Sequence, residues 1–342
     1  MITFSPLRHT DPTVICTLDM HTGGEPVRVI TSGFPGPQGS NVLERRRWVM
    51  NHADDYRKML MWEPRGHADM YGCLITPPND SGADFGVIFM HNEGYSTMCG
   101  HAIIALAKLA VLQGWVSKGP GEVQVVIDAP CGRIQAWVDT AQPHWPCRFY
   151  GVPSFILKAD QSIEIDGQKI PFDLAYGGAF YAYINVEKIG LDLHEQQIHQ
   201  LIHLGKAVKK AIVASGLPIL HPFETDLSFL YGVIFMQANP RAGIDSRNVC
   251  VFADGEVDRS PTGSGVSGRM AIHHFKENWP QGKSMVIESI TGSVFTGIVK
   301  EITSYGSYPA VIPEVSGTAF ITGEHRFYRD PLDPQFPGFL LR

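Results

Sequence analysis

Short runs of β-branched and aromatic residues, bounded by Gly, Pro, Asp or Asn, recur along most of the chain. Runs of this composition and length predict β-strands. The clearest lie at 123–127, 133–138, 229–235, 249–252 and 284–287. Many short strand-like runs and few long periodic segments indicate a chain with much sheet and a small number of helices.

Three longer segments have the composition of helices. They are predicted over 99–113, over about 194–214, and from near 262 to about 277. The first is apolar nearly all round, so we expect it to be enclosed. Ser96 or Thr97 is expected to cap its start, and Gly114 suits its end. The second has mixed polarity, so we expect it to be more exposed.

The starts of two of these helices resemble each other. Cys99-Gly100-His101-Ala102 opens the first, and Thr262-Gly263-Ser264-Gly265 opens the third. In each, a side chain with a nucleophilic atom precedes a glycine and a polar residue. This echo predicts two similar halves that face each other, and a length of 342 residues suits about two domains. The Pro- and Trp-rich stretch 141–148 is predicted to be a linker between domains.

The overall composition is that of an ordinary globular protein, with 44% apolar and 18% charged residues. The net charge of -6 has both signs interspersed, which argues against nucleic acid or an anionic membrane as the main partner. Residues 1–12 hold no apolar signal segment, and Lys108 interrupts the best candidate for a membrane span. We therefore expect a cytoplasmic protein whose six cysteines are reduced thiols.

A cysteine at the start of a helix is well placed to react. The positive end of the helix dipole and unpaired backbone N–H groups lower the pKa of a thiol, which makes Cys99 a candidate base. The N–H groups of Gly100 and His101 are free to bind an anion such as a carboxylate. The alternative is that Cys99 is only a small buried core residue.

The start of the third helix offers a similar anion site. Pro261 suits a helix start, and the N–H groups of Gly263 and Ser264 are free. Asp258 could meet a cationic amine from just outside the helix. Taken alone, an aspartate in this position is more simply explained as a turn residue.

Two further motifs point to other chemistry, but more weakly. Residues 263–268 match the G-x-G-x-x-G dinucleotide pattern, yet a long connection separates Phe252 from Gly263, where a Rossmann turn would join strand and glycine directly. His194 and His199 resemble H-E-x-x-H with one residue too many, and His199 and His203 share a helix face without an evident third ligand. We expect neither a nicotinamide cofactor nor a metal.

Five stretches together resemble the proline racemase family over nearly the whole chain. They are residues 19–26 (DMHTGGEP), 63–72 (EPRGHADMYG), 91–101 (HNEGYSTMCGH), 173–182 (DLAYGGAFYA) and 251–265 (VFADGEVDRSPTGSG). Residues 21–25 and 65–69 of these stretches can equally be turns that only support a site, so we do not count them among the catalytic residues.

The resemblance implies an α/β (α+β) fold of the diaminopimelate-epimerase type, with two pseudo-symmetric halves. Each half is a sheet or barrel wrapped around a central helix, and the active site lies in the cleft between them. Residues 1–145, completed by about 318–342, would carry Cys99. Residues 146–317 would carry Asp258 and Thr262. Members of the family need no cofactor.

The family's racemases and epimerases use two cysteines on opposite faces of the substrate ring. The first position here is Cys99, but the second is Thr262, whose hydroxyl is far too weak an acid or base to replace a thiol. The resemblance is therefore to the trans-3-hydroxy-L-proline dehydratases of the family. By this resemblance, Cys99 would remove the C2 proton of the substrate, and the 3-hydroxyl would leave from C3 as water.

The other nominated residues would bind the substrate. N–H groups of Gly100, His101, Gly263 and Ser264 would hold the carboxylate, and Asp258 with His101 would hold the ring nitrogen. Thr262 would shape the opposite wall. The expected partner is a small-molecule substrate, and the chain is a possible homodimer.

Three alternatives to this activity stay open at this point. The nearest is a hydroxyproline 2-epimerase or proline racemase, which needs a second catalytic thiol where this chain has Thr262. The second is a catalytically idle protein that binds an imino acid. A NAD-dependent oxidoreductase is a distant third.

Overall fold

The computed structural model of the chain describes residues 14–117, 119–330 and 332–341. Within these ranges the chain forms seventeen strands and five α-helices. Residues 1–12, where no signal segment is expected, lie outside the described part, so the structure does not bear on that prediction. None of the helices in the described ranges is both long and apolar enough to cross a bilayer.

The strands are β1 (Val14–Thr22), β2 (Glu25–Ser32), β3 (Tyr71–Thr76), β4 (Phe85–His91), β5 (Glu122–Ala129), β6 (Gly132–Asp139), β7 (Cys147–Tyr150), β8 (Phe155–Ile165), β9 (Gln168–Tyr176), β10 (Phe180–Asn185), β11 (Leu230–Arg241), β12 (Ile244–Phe252), β13 (Glu256–Val257), β14 (Ser284–Glu288), β15 (Val294–Tyr305), β16 (Tyr308–Gly317) and β17 (Ala319–Tyr328). The helices are α1 (Val42–His52), α2 (Asp54–Met61), α3 (Gly100–Leu112), α4 (Ile198–Ala214) and α5 (Gly263–Glu277).

The strands form one hydrogen-bonded network made of two consecutive series. The first series has the spatial order β17, β1, β2, β3, β4, β5, β6, β7. The second has the order β8, β9, β10, β11, β12, β14, β15, β16. The pairing of β7 with β16 joins the two series.

Both series repeat the same sequence of strand orientations. Neighbouring strands are antiparallel, antiparallel, parallel, antiparallel, parallel, antiparallel and antiparallel, in that order. In this correspondence β17 takes the place in the first series that β8 takes in the second. The chain therefore has two pseudo-symmetric halves. The division at residues 145 and 146 stays a prediction, because β7 is paired to strands of both series.

Helices connect the neighbouring strands that pair in parallel, because the chain must return to the same edge before it starts a parallel strand. In the first half α1 and α2 lead from β2 to β3, and α3 leads from β4 to β5. In the second half α4 leads from β10 to β11, and α5 lies between β12 and β14. The helices α3 and α5 thus occupy equivalent positions in the two halves.

These two helices are the enclosed ones. Residues 100–111 of α3 and 263–273 of α5 are all buried. The strands of the sheet pack around them, with α3 against β1, β6 and β7, and α5 against β9, β15 and β16. The two helices also contact each other, so their starts meet in the middle of the molecule.

All five predicted strands and all three predicted helices are present. The helices α1 and α2 were not predicted from the sequence. Their buried faces include Arg45, Arg46 and Arg57, and these charges interrupt the apolar period that reveals a helix. A cap signal does exist for α1, since Asn41 accepts the N–H of Glu44 at 2.9 Å.

The predicted cap of α3 is wrong. Its N-cap is Cys99, whose sulfur accepts the N–H of Ala102 at 3.4 Å. Ser96 and Thr97 cannot serve because other groups hold their hydroxyls. Gly114 does follow the helix with a φ of 70°, the left-handed conformation that suits glycine after a helix end.

The predicted linker is also wrong. The stretch 141–148 forms the turn between β6 and β7 and the start of β7, and the two strands pair antiparallel with Val138 opposite Cys147. Proline and tryptophan therefore mark a hairpin connection here rather than a boundary between independent domains.

Candidate active site

The starts of α3 and α5 face each other at a very short distance. A Cβ added to Gly100 would lie 2.6 Å from the Cα of Gly263, and one added to Gly263 would lie 2.8 Å from the Cα of Gly100. No side chain other than hydrogen fits at either position. The two glycines that follow Cys99 and Thr262 therefore allow the two halves to bring their helix starts together.

All seven residues nominated from the sequence line one buried pocket at this meeting point. They are Cys99, Gly100, His101, Asp258, Thr262, Gly263 and Ser264. The rest of the wall comes from residues that the sequence did not nominate, which are Glu25, Tyr71, Met98, Tyr181, Tyr231, Cys250 and Phe252.

Cys99 is hydrogen-bonded to the imidazole of His101. The sulfur lies 3.2 Å from Nδ1 and 3.6 Å from Nε2. On the other side of the ring, Nε2 is 3.2 Å from the carbonyl oxygen of Pro26. Because that carbonyl can only accept, Nε2 carries the hydrogen and Nδ1 is left to accept from the thiol. Burial lowers the pKa of His101 to about 3, so its ring is neutral.

The expected lowering of the Cys99 pKa is wrong for this geometry. The thiol is buried, with 4% of the residue exposed, and desolvation raises its pKa well above the ordinary value. The hydroxyl of Tyr71 and the N–H of Ala102 oppose this, but the charge of Asp258 adds to it. The helix start is present as predicted, yet burial outweighs it.

Thr262 lies at the point of α5 that corresponds to Cys99 in α3. Its backbone has φ 66° and ψ 90°, a conformation that β-branched residues rarely adopt. Such strain costs of order 1–3 kcal/mol and is usually retained at functional sites. The hydroxyl is buried and has no hydrogen bond of ordinary geometry among the described residues, although it lies close enough to the Asp258 carboxyl to favour the ionised form.

Asp258 is buried in the same pocket and is held by its own loop. Its Oδ1 accepts the N–H of Ser260 at 2.7 Å. Desolvation raises the pKa of the carboxyl to about 6, while Ser260, Thr262 and Arg259 moderate the rise. The group is therefore ionised at neutral pH, although only by a small margin.

Four backbone N–H groups converge on the pocket from the two helix starts. Those of Gly100, His101, Gly263 and Ser264 have no hydrogen-bond acceptor within the described ranges. The side chain of Ser264 is already used, because its hydroxyl lies 2.8 Å from that of Tyr181. Two opposed helix starts with free N–H groups form a site for an anion such as a carboxylate.

Glu25 is the pocket carboxyl that sequence reasoning missed. It is fully buried, and its Oε2 accepts the N–H of Arg259 at 2.7 Å. The motif at 19–26 contains Glu25, but its residues 21–25 were interpreted as a turn that only supports a site. Gly23 and Gly24 do form a turn, with φ of 62° and 89°, but the turn delivers Glu25 to the pocket.

The motif at 63–72 supports the site from outside the pocket. Asp69 pairs at 2.6 Å with the guanidinium of Arg259, whose backbone N–H binds Glu25, and Arg65 pairs with Asp333 at 2.5 Å. Neither Arg65 nor Asp69 lines the pocket. Their placement agrees with a supporting role rather than contact with a substrate.

The glycines of the G-x-G-x-x-G match are explained by packing. A Cβ on Gly265 would lie 2.3 Å from Ile234, and one on Gly268 would lie 2.1 Å from the Tyr183 hydroxyl. His199 and His203 are exposed on α4. In the part of the chain that the structure describes, no cluster of three or more His, Cys, Asp or Glu is arranged to hold a metal.

Comparison with known proteins identifies the family of the chain. The family model described as Proline racemase matches residues 17–340. Trans-3-hydroxy-L-proline dehydratase of Colwellia psychrerythraea is 48% identical over 332 residues, which cover 96% of this chain and 93% of that protein. The 3-hydroxyproline 2-epimerase of Burkholderia multivorans is 46% identical over 330 residues, covering 96% and 98%.

The fold is also shared with solved structures. A hydroxyproline epimerase from Agrobacterium vitis, with bound trans-4-hydroxy-L-proline, superposes with a TM-score of 0.90 at 29% identity. The match covers 96% of both chains. The similarity therefore extends over the sheets and the helices that build the pocket.

Proposed function

The chain belongs to the proline racemase family, and we propose that it dehydrates trans-3-hydroxy-L-proline to Δ1-pyrroline-2-carboxylate without a cofactor. The observation that carries this proposal is the pairing of Cys99 with Thr262 at equivalent helix starts that face one pocket. A thiol stands on one side of the pocket and a hydroxyl on the other. This arrangement supplies one base for C2 and no thiol at the start of α5 to return a proton to the opposite face, while the pocket's other thiol, Cys250, is buried with its pKa raised well above the ordinary value.

The pocket offers hydrogen-bond donors for the carboxylate of the substrate and a carboxylate for its ring nitrogen. The N–H groups of Gly100, His101, Gly263 and Ser264 hold the carboxylate, and they also stabilise the negative charge that spreads onto it as C2 loses its proton. The carboxylate of Asp258 binds the ring nitrogen. In this structure both nitrogens of His101 are engaged by Cys99 and Pro26, so we assign His101 mainly to the thiol.

The reaction begins when the thiolate of Cys99 removes the C2 proton. Burial raises the pKa of this thiol and therefore disfavours the thiolate. The cationic ring nitrogen of the bound substrate has the opposite effect, because a nearby positive charge stabilises the thiolate. In the trans isomer the C2 proton and the 3-hydroxyl lie on the same ring face. A base on that face therefore starts a syn elimination, and the enamine that results tautomerises to the imine.

A 3-hydroxyproline 2-epimerase is the second candidate, since a relative of that name is 46% identical to this chain. Epimerisation needs an acid on the face opposite Cys99. Thr262 holds that position, and its hydroxyl is far weaker as an acid than a thiol. Dehydration is therefore the favoured activity.

We also propose a reducing, cytoplasmic location, because all six cysteines are free. The small-molecule substrate is the partner that the pocket supports. The possible homodimer stays a prediction.

Replacing Cys99 with serine tests the proposed base. We expect turnover of trans-3-hydroxy-L-proline to fall by about 1000-fold, in the range general bases contribute, because a serine hydroxyl is not ionised near neutral pH. The matched control is Cys131→Ser, which changes a buried free cysteine that does not line the pocket. Equal activity of the two variants would contradict the role of Cys99.

A further inference from the structure

Glu25 is a pocket carboxyl that the steps above do not use. It is 0% exposed, and one of its oxygens, Oε2, is held by the N–H of Arg259 at 2.7 Å. The other oxygen, Oε1, is buried and has no hydrogen-bond partner among the described residues. A buried carboxyl oxygen without a partner is costly, so its position in the wall of the pocket indicates a ligand that completes it.

The turn that carries Glu25 is fixed to the start of α3. The hydroxyl of Thr22 donates to the carbonyl of His101 at 2.8 Å. The carbonyl of Pro26 accepts from the imidazole of the same histidine at 3.2 Å. Residues on both sides of Glu25 therefore bind His101, whose ring contacts the sulfur of Cys99. Glu25 itself is held by Arg259, so its side chain enters the pocket where the start of α3 meets the loop that carries Asp258.

Two carboxyls in this pocket have different surroundings. Asp258 accepts the N–H of Ser260, and nearby hydroxyls also favour its ionised form. Complete burial and the negative charge of Asp258 raise the pKa of Glu25 well above the ordinary value, and the single N–H bond from Arg259 only partly opposes this rise. The charged groups that face Glu25 are Asp258, Arg259 and Asp69. When two neighbouring carboxyls are separated in this way, one serves as an anion and the other as an acid.

We propose that Glu25 donates the proton with which the 3-hydroxyl leaves as water. This inference rests on the proposed dehydration and adds the acid that it needs. The Oε1–H bond breaks and its proton joins the hydroxyl oxygen. The C3–O bond breaks with its electron pair going to that oxygen, and the pair left at C2 by proton abstraction forms the C2=C3 bond. Glu25 ends as a carboxylate, Cys99 as a thiol, and solvent returns the proton from the thiol to the carboxylate.

The alternative donor is the thiol of Cys99 itself, which has just received the C2 proton. A substrate whose leaving group needs no proton can show whether Glu25 acts as an acid or only shapes the pocket. In trans-3-fluoro-L-proline the leaving group is fluoride, a weak base. Elimination of fluoride still requires Cys99 to take the C2 proton but does not require an acid at C3.

The test compares Glu25→Gln with the wild type on both substrates, following product by NMR. The amide oxygen of glutamine can still accept the N–H of Arg259, but the side chain has no acidic proton. We expect the reaction of the 3-hydroxy substrate to slow by at least about 100-fold, the lower range for general acids. Elimination from the 3-fluoro substrate should stay within about threefold of wild type.

Glu256→Gln is the matched control. Glu256 is also fully buried, also has one oxygen without a partner, and binds His91 at 2.9 Å, yet it does not line the pocket. Its replacement should change both reactions by the same factor. If Glu25→Gln slows both substrates equally, Glu25 has only a structural role and the inference is overturned.

Retention of full activity on the 3-hydroxy substrate by Glu25→Gln would also overturn it. A wild-type enzyme that does not dehydrate this substrate at all would overturn the proposed function together with the inference. Folding of the variant is checked by binding of pyrrole-2-carboxylate, a planar mimic of the deprotonated substrate. If Glu25→Gln does not fold, Glu25→Ala with added formate replaces it. Rescue by formate is then the expected result, and no rescue of a folded Glu25→Ala overturns the inference.

Discussion

Burial of the ionised Asp258 carboxyl destabilises the folded protein by an amount that depends on pH. Its pKa rises from 3.8 to about 6 on folding. Between these values the folded chain keeps a proton that the unfolded chain has released, so the free energy of unfolding falls as pH rises through this window. Above pH 6 the loss is complete, and a pKa difference of about 2 corresponds to about 3 kcal/mol.

Asp258→Asn should therefore stabilise the protein while impairing substrate binding. We expect the free energy of unfolding to rise by about 3 kcal/mol at pH 8 and by about half as much at pH 5. Urea unfolding at the two pH values measures this, with Asp254→Asn, whose side chain is 70% exposed, as the control. The same gain at both pH values would show that the Asp258 carboxyl is not what limits stability.

Thr262 is the residue that separates elimination from racemisation in this account. Thr262→Cys places a second thiol opposite Cys99, so we expect the variant to exchange the C2 proton of L-proline with solvent and to form some D-proline. NMR in D2O detects the exchange, and chiral chromatography detects the D isomer. Thr262→Ser, which keeps a hydroxyl, should do neither. A cysteine variant without exchange would show that position 262 does not face C2.

At the residue scale the sequence nominated residues that do line one pocket, and it did so where a motif fixes the backbone. Cys99 and Thr262 open helices, so their places relative to the neighbouring N–H groups follow from local structure. Glu25 was missed because its burial and its bond to Arg259 join positions 234 residues apart. The direction of the Cys99 pKa was also missed, since the sequence shows the helix start but not the depth of burial.

At the scale of elements, the close approach of α3 and α5 sets the geometry of the pocket. Gly100→Ala adds a Cβ that would meet the Gly263 backbone at 2.6 Å, so the helix starts must move apart. Displacements of about 1 Å in an active site can reduce the rate by about 100-fold, and we expect a loss of that size in kcat/KM.

Gly94→Ala is the control for this substitution, because a Cβ at Gly94 meets no atom within 4 Å. Its activity and thermal stability should match those of the wild type. Wild-type activity in Gly100→Ala would contradict the close contact between the two helix starts.

Local patterns located five of the seventeen strands and three of the five helices in the described residues. Alternating and apolar runs identified β5, β6, β11, β12 and β14 and the helices α3, α4 and α5. The helices α1 and α2 escaped because their arginines are buried by partners distant in the chain. Arg46 binds the carbonyl of Tyr95 and Arg57 that of His91, each at 2.9 Å. Such partners turn a charged residue into a core residue, and no local pattern contains them.

At the scale of the whole molecule, the repeated order of strand orientations explains why Cys99 and Thr262 face each other. Each stands at the start of the helix that comes after the equivalent strand of its half, β4 for Cys99 and β12 for Thr262. The similarity of the two helix starts in the sequence gave a hint of this symmetry. The order of pairing, and the return of β17 to β1, depend on contacts across the whole chain and were expected only from the family resemblance.

The symmetry also explains how one fold can support two reactions. Two equivalent helix starts provide opposed positions around a ring. With a thiol at both, a proton can leave one face and return to the other. With Cys99 and Thr262, the proposed reaction removes a proton from one face only, and the electron pair left at C2 expels the 3-hydroxyl instead.

The most direct test is proton NMR of trans-3-hydroxy-L-proline incubated with the reduced wild-type protein in D2O. We predict that the substrate disappears and that Δ1-pyrroline-2-carboxylate takes its place. Survival of the substrate skeleton with its C2 proton exchanged, together with formation of cis-3-hydroxy-D-proline, would contradict dehydration and show that the protein is an epimerase.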